Sequence, residues 1–182
     1  MRSVAEKVFK DCNNFRSISG NAEKTSLPDS SVDFITCAQA FHWFPVESTR
    51  NEFARILKRG GFVLAVWNVR KTNTKFGSAY EELVRTHCED YSLVGLDVKS
   101  RLAKVESFFN KGGFSSHTCD YDQSFDYNEL KGFLESASYA PTVSHPKYQL
   151  MIKKLKEIFE TNVNNGTVRM EYSTELYYGN LE

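Results

Sequence analysis

A short loop centred on His42 is the part of the sequence best suited to chemistry. A free imidazole titrates at about pH 6.5, so His42 can accept a proton from an oxygen or nitrogen group near neutral pH. Phe41 and Trp43 flank it, and aromatic rings attract cations through their faces. The loop therefore has the residues of a pocket for a small molecule, with His42 as general base, as a group that orients the ligand, or as plain packing.

The elements around this loop predict an α/β sheet. Segment 32–38 is apolar almost throughout, as is typical of a strand covered by helices on both faces. Thr49, with a glutamate three residues later, forms a capping-box signature at the start of a helix. Segment 62–67 is a second apolar strand, and the three elements predict a right-handed βαβ unit. Since ligands bind beyond the carboxyl ends of parallel strands, His42 and Trp67 are expected at one ligand edge.

Apolar periodicity predicts the remaining elements. They are strands at 15–19, 117–125 and 168–178, and helices at 4–9, 78–91, 102–109 and 151–159. The sequence therefore predicts an α/β fold with helices on both faces of the sheet and antiparallel strands at its C-terminal edge.

Composition and charge exclude several classes of protein. A chain of 182 residues with no linker or repeat predicts one domain over residues 1–182. A formal net charge of +0 gives no basic field for nucleic acid or anionic lipid. Four scattered cysteines lack a Cys-x-x-Cys pair, no His/Cys spacing indicates a metal site, and no apolar run reaches membrane-spanning length. We expect a soluble cytoplasmic protein without metal or membrane association.

Five segments carry a family resemblance when they are taken in order. They are Asn-Ala-Glu at 21–23, Leu-Pro-Asp-Ser-Ser-Val-Asp at 27–33, Ala-Phe-His-Trp-Phe at 40–44, Arg-Ile-Leu-Lys-Arg-Gly-Gly at 55–61 and Phe-Val-Leu-Ala-Val-Trp-Asn at 62–68. The set resembles the second half of a class I S-adenosylmethionine (SAM) dependent methyltransferase, of the small-molecule type that includes trans-aconitate methyltransferase. The resemblance is closest over roughly the first 70 residues.

The resemblance implies a Rossmann-like methyltransferase sheet, SAM as cofactor and a small-molecule methyl acceptor, for which a carboxylate is one candidate. The implied cofactor-binding residues are Asn21, Ala22, Glu23, Ala38, Gln39 and Ala40. The implied acceptor-binding residues are Phe41, Trp43 and Trp67, with His42 as the catalytic candidate. Two alternatives stay open: Asn21 as an ordinary turn residue, and the tryptophans as core packing.

Two parts of the family pattern have no counterpart in this sequence. The glycine-rich Gly-x-Gly-x-Gly turn and the acidic residue that holds the cofactor ribose are both missing. The resemblance therefore implies a sheet without its first two strands, with a gap that a homodimer or an upstream segment would fill. The alternative to an active enzyme is an inactive methyltransferase-like protein, acting as a pseudoenzyme or a partner-binding module. A nucleotide-binding α/β protein of other chemistry is a third interpretation.

Overall fold

The computed structural model describes residues 2–89, 91, 98–110 and 113–181. Within them, the strands are β1 (Val32–Ala38), β2 (Leu57–Arg70), β3 (Ser115–Phe125) and β4 (Val168–Gly179). The helices are α1 (Arg2–Val8), α2 (Val46–Ile56), α3 (Lys75–His87), α4 (Val98–Phe109), α5 (Tyr127–Glu135) and α6 (Tyr148–Asn162), with a 3-10 turn at Phe41–Trp43.

The four strands form one mixed sheet in the order β1-β2-β4-β3. β1 and β2 are parallel and are connected through α2, which is the predicted βαβ unit. β4 pairs antiparallel with both β2 and β3, and β3 lies at the edge of the sheet. The predicted α/β class and the antiparallel C-terminal strands are confirmed.

Helices pack on both faces of the sheet, as predicted. Alternate residues of β2, including Val63, Ala65 and Trp67, share a buried cluster with residues of α2 and α4. Arg70 of β2 is opposite Tyr172 of β4, so the side chains of both lie on the other face. On that face Tyr172 belongs to a second cluster, formed with α3, α5 and α6. We call the α2 and α4 side the covered face, because its cluster runs from β1 to β4.

The opposite face is bare near β1, which makes one prediction wrong. Segment 32–38 was expected to be covered on both sides, but within it only Cys37 is buried and Phe34 is 71% exposed. Phe34 stacks on Phe62 with ring centroids 6.4 Å apart, and no helix among the described residues covers this pair. We call this surface, Phe34 with Thr36, Phe62 and Tyr178, the bare face.

The predicted strand at 15–19 is not formed. These residues have no regular structure and are exposed; the backbone turns where the Phe15 amide donates to Cys12 O, and the rings of Phe9 and Phe15 are 5.0 Å apart. A strand needs a partner for its backbone groups, and among the described strands none pairs with this segment or with the outer edge of β1. Alternation of apolar and polar residues is therefore insufficient to form a strand at 15–19 when no other strand lies beside it.

The predicted cap at Thr49 is also wrong. α2 begins at Val46, after Pro45, and Thr49 is fully buried within it. The helix ends at Ile56, and Gly60 lies in a bulge of β2 with a φ of 75°, a conformation that glycine adopts without strain. No described helix is long and apolar enough to cross a membrane.

Candidate functional site

A cleft of about 1350 Å³ opens at the carboxyl ends of β1 and β2. Its wall includes Gln39, which follows β1, and Trp67 and Arg70 near the end of β2. His42 and Trp43 line it from the 3-10 turn. The predicted ligand edge therefore coincides with the large cleft in the described part of the chain.

The turn that follows β1 has an unusual backbone. Gln39 has a φ of 53°, a left-handed conformation that few residues other than glycine adopt. Its backbone amide donates to Val66 O at 2.9 Å, and its side-chain Nε2 donates to Asn68 O at 3.3 Å. These bonds tie the turn to β2 while Ala38 and Gln39 stay exposed. Backbone and small side chains are thus open to a ligand at this edge.

His42 is half-buried, and positive charge surrounds it. Lys104 of α4 donates from Nζ to the His42 backbone oxygen at 2.7 Å, which fixes the 3-10 turn against the helix. Burial, then the charges of Lys104 and Arg101, lower the pKa of the His42 imidazole below its usual value. Nδ1 is buried and has no hydrogen-bond partner within the described residues. The imidazole is therefore neutral at pH 7 and able to accept a proton.

The three aromatic candidates occupy different environments. Phe41 is 1% exposed and packs edge-on against Phe108 at 4.8 Å and Trp67 at 5.8 Å. It is a core residue and does not line the cleft. Trp43 is 61% exposed on the cleft wall. Trp67 belongs to the core and also reaches the cleft, where its buried Nε1 has no partner among the described residues.

The segment 21–23 forms a tight turn and does not line the cleft. Asn21 and Lys24 form an isolated bridge, and Asn21 Nδ2 donates to Glu23 Oε1 at 3.0 Å. Ala22 packs against the covered-face cluster that contains Phe41. The cleft thus brings together Gln39, His42, Trp43 and Trp67. The candidates outside its wall are Asn21, Ala22, Glu23, Ala38, Ala40 and Phe41.

Sequence reasoning missed several charged and aromatic residues of the site. The cleft is also lined by Arg70, Glu81, Arg85, Tyr91, Arg101 and Tyr139. Arg70 comes shortly after the predicted strand at 62–67, at the predicted ligand edge, and this position could have identified it as a site residue. The others come together only through packing of helices and loops. No group of three or more potential metal ligands occurs in the described ranges.

Sequence comparison finds relatives of the N-terminal part. Residues 1–65 match the family model of the methyltransferase domain. An uncharacterized methyltransferase-like protein of Schizosaccharomyces pombe is 46% identical over 72 residues, which are 38% of this chain and 26% of that protein. An uncharacterized methyltransferase of Mycobacterium bovis is 45% identical over 51 residues, 28% of this chain and 21% of its own. The match spans about a quarter of the length of these curated relatives.

Solved structures share the fold over nearly the whole chain. The YcgJ protein of Bacillus subtilis has a TM-score of 0.53 at 21% identity, over 98% of this chain and 77% of that one. A candidate type II methyltransferase of Anaeromyxobacter dehalogenans has a TM-score of 0.55 at 17% identity, over 97% of this chain and 77% of that one. Residues 1–65 are thus similar to a methyltransferase domain, and the chain as a whole shares the Rossmann-like fold of these solved structures.

Proposed function

We propose that this chain acts as a SAM-dependent methyltransferase on a small-molecule acceptor bound in the cleft. The observation that carries the proposal is the exposed left-handed turn at Gln39 beside a neutral His42, at the mouth of the cleft and inside the segment that matches a methyltransferase domain. Methyl transfer needs alignment of two reactants and exclusion of water more than it needs acid–base groups. A large cleft with aromatic walls offers the space in which two reactants can be aligned.

The residues present fit part of the cofactor. When bound, SAM supplies a methyl group activated by its positive sulfonium. The open backbone at 38–40 would hold the methionine part, and the turn at 21–23 would hold the adenine. No described strand pairs with the outer edge of β1, and the glycine-rich turn and the ribose-binding acidic residue of the family pattern have no counterpart in the sequence. The fit is to the two ends of the cofactor and not to its middle.

The chain's own residues would position the acceptor. Trp43 and Trp67 form apolar walls against which an acceptor would pack, displacing water from them. His42, neutral at pH 7, would accept the proton of a hydroxyl or amine acceptor, or donate a hydrogen bond to an acceptor that has already lost its proton. Lys104 would keep His42 in place through its bond to the backbone oxygen.

A specific observation favours a second candidate function, a partner-binding module without catalysis. β1 has an unpaired outer edge in the described structure, and the adjoining Phe34 and Phe62 are exposed. Exposed edge strands pair readily with strands of another chain. A second copy of this chain, or upstream residues of the same protein, would complete the sheet there.

The compartment that we propose is the cytoplasm. Cys12, Cys37, Cys88 and Cys119 are free thiols, as is usual in reducing compartments. Burial raises the pKa of Cys37 to about 12, so this thiol is inert.

Isothermal titration with S-adenosylhomocysteine tests the enzyme proposal. We expect saturable binding by the 182-residue chain. Ala38→Leu should weaken it at least about tenfold, because the exposed Ala38 borders the open turn and a branched side chain would occupy the ligand's space. Ala103→Leu, an exposed change on α4, is the matched control and should bind like the unmodified chain.

The two candidate functions predict different results. Absence of heat at millimolar ligand, from a sample shown to be folded by circular dichroism, would exclude cofactor binding by this chain and favour the partner-binding module. Equal affinity in the Ala38→Leu chain would place the cofactor elsewhere and contradict the proposed site.

A further inference from the structure

One part of the cleft concentrates positive charge. Arg70 at the end of β2 and Arg85 of α3 share a single carboxylate, that of Glu81. Arg85 Nε donates to Glu81 Oε1 at 2.9 Å, and an Arg70 guanidinium nitrogen lies 3.4 Å from Oε2. Two guanidinium groups, which keep their charge at all ordinary pH values, are therefore balanced by one carboxylate.

The other cations on the cleft wall have their own acidic partners. Arg101 is paired with Glu175 at 3.1 Å, and Lys147 with Glu89 at 2.6 Å. Within the described lining, the unbalanced positive charge is therefore at the pair that shares Glu81. We call Arg70, Glu81 and Arg85 the arginine cluster.

Tyrosine residues surround the arginine cluster. The Tyr91 ring lies 5.9 Å from Arg70 Cζ and 6.0 Å from Arg85 Cζ, within cation–π distance of both guanidinium groups. Its hydroxyl donates to Glu81 Oε2 at 2.8 Å. Burial raises the pKa of Tyr91 to about 12, so the hydroxyl keeps its proton. Arg70 also donates toward the Tyr139 hydroxyl at 3.4 Å.

The two arginines differ in their exposure. The Arg70 side chain is 17% exposed and is held by Glu81, Tyr91 and Tyr139, whereas the Arg85 side chain is 71% exposed. A guanidinium carries five N–H donors, and Glu81 uses one edge of Arg85. Its remaining donors face solvent in the cleft and have the fork geometry that matches a carboxylate.

We propose that the arginine cluster binds a carboxylate group of the methyl acceptor, whose apolar part packs against Trp43 and Trp67. The inference rests on the proposed function, since it assigns a ligand class to the same cleft. It makes Arg85 the residue that pairs with the ligand, and Arg70 with Glu81 the support that keeps the local charge positive.

Binding of hexanoate, compared with that of hexanamide, tests this assignment. The two probes have the same shape, but only hexanoate is charged. Titrations followed by ligand NMR should show hexanoate binding at least about tenfold more tightly than hexanamide, as expected for a charge-assisted bidentate pair. Arg85→Gln should abolish the preference, and its exposure makes loss of folding unexpected. Arg70→Lys should reduce the preference while keeping the charge.

Arg169→Gln is the matched control. Arg169 is an exposed arginine of β4 paired with Asp122 at 3.0 Å, outside the cleft, so this variant should keep the full preference for hexanoate. Equal binding of the two probes by the unmodified chain, no binding of either, or a preference that survives Arg85→Gln would each overturn the assignment.

The same titrations are repeated with S-adenosylhomocysteine present. Hexanoate preference without any cofactor binding would leave the carboxylate site standing and remove the methyltransferase proposal. Cofactor binding without hexanoate preference would remove only the carboxylate site.

Discussion

The two faces of the sheet do different work. The covered face buries aromatic residues of β2, α2 and α4 around Phe41 and Phe108, and the same helices hold the parts of the candidate site. α4 fixes the His42 turn through Lys104, and α2 holds Thr25, next to the 21–23 turn, through Glu52. The bare face leaves Phe34 and Phe62 exposed and holds none of the site candidates. Packing on the covered face therefore positions the His42 turn and the 21–23 turn, whereas the arginine cluster lies on the other face, beside α3.

The largest expected effect comes from removing a core ring of the covered face. Phe108 is 1% exposed and contacts Phe41, Phe53 and Phe109. Phe108→Ala should lower the free energy of unfolding by about 3–5 kcal/mol, because it removes buried apolar surface and leaves a cavity. Urea denaturation measures the change.

Phe34→Ala is the counterpart on the bare face. Phe34 is 71% exposed, and exposed positions usually change stability by less than about 0.5 kcal/mol. A cost comparable with that of Phe108→Ala would contradict the difference between the faces, because it would mean that something covers Phe34 in solution.

The next largest effect is a loss of stability at low pH that depends on Glu52 of α2. Hydrogen bonds from Arg55, then Thr25, lower the pKa of Glu52 from 4.5 to about 2. Since the folded pKa is below the unfolded one, this stabilisation is complete above about pH 4.5 and is lost as the pH falls toward 2. Glu52→Gln should lower stability at pH 7 and make the further loss on acidification smaller.

Urea midpoints at several pH values between 7 and 3 measure this effect. Glu160→Gln removes an exposed carboxylate of α6 and serves as the control. Parallel pH curves for Glu52→Gln and the unmodified chain would show that Glu52 does not hold the N-terminal segment to α2.

A smaller effect concerns the proton affinity of His42. Burial, Lys104 and Arg101, the last paired with Glu175, determine its charge environment. Lys104→Met removes one of the two positive charges and should raise the pKa of His42 toward its usual value. The pKa of His42 in the folded chain lies below the unfolded value of about 6.5, so the free energy of unfolding falls as the pH drops below about 6.5. In Lys104→Met the two pKa values are closer, and this loss of stability should be smaller.

An NMR titration of the imidazole protons measures the pKa directly. Lys99→Met changes an exposed lysine of the same helix and should leave the value in place. An unchanged pKa in Lys104→Met would show that the charge of Lys104 does not lower the pKa of His42.

Strong local patterns made much of the fold predictable. The strands at 117–125 and 168–178 and the helix at 151–159 alternate or repeat over long stretches, and all three are confirmed within β3, β4 and α6. α5 was overlooked, although Asp126 and Glu129 form a capping box that is readable in the sequence. Segment 15–19 misled because alternation predicts a strand only where another strand lies beside it.

The site was predictable only where it follows the ends of strands. Gln39 and Trp67 reach the cleft because each lies close to the carboxyl end of a parallel strand. Phe41 could not be assigned from the sequence, because one turn of 3-10 helix directs it into the core while the next two residues, His42 and Trp43, line the cleft. The arginine cluster depends on how α3 packs beside the end of β2, which no local pattern reveals.

The stacked rings of Phe34 and Phe62 also affect the choice of assay. Exposed apolar aromatic surface binds the fluorescent dyes that are used to detect unfolding. A dye-based melting curve of this chain would begin with high fluorescence in the native state, and the rise on heating would be small. Circular dichroism and calorimetry report on the fold and on bound ligand without that background, and they are the methods by which variants of this chain are best compared.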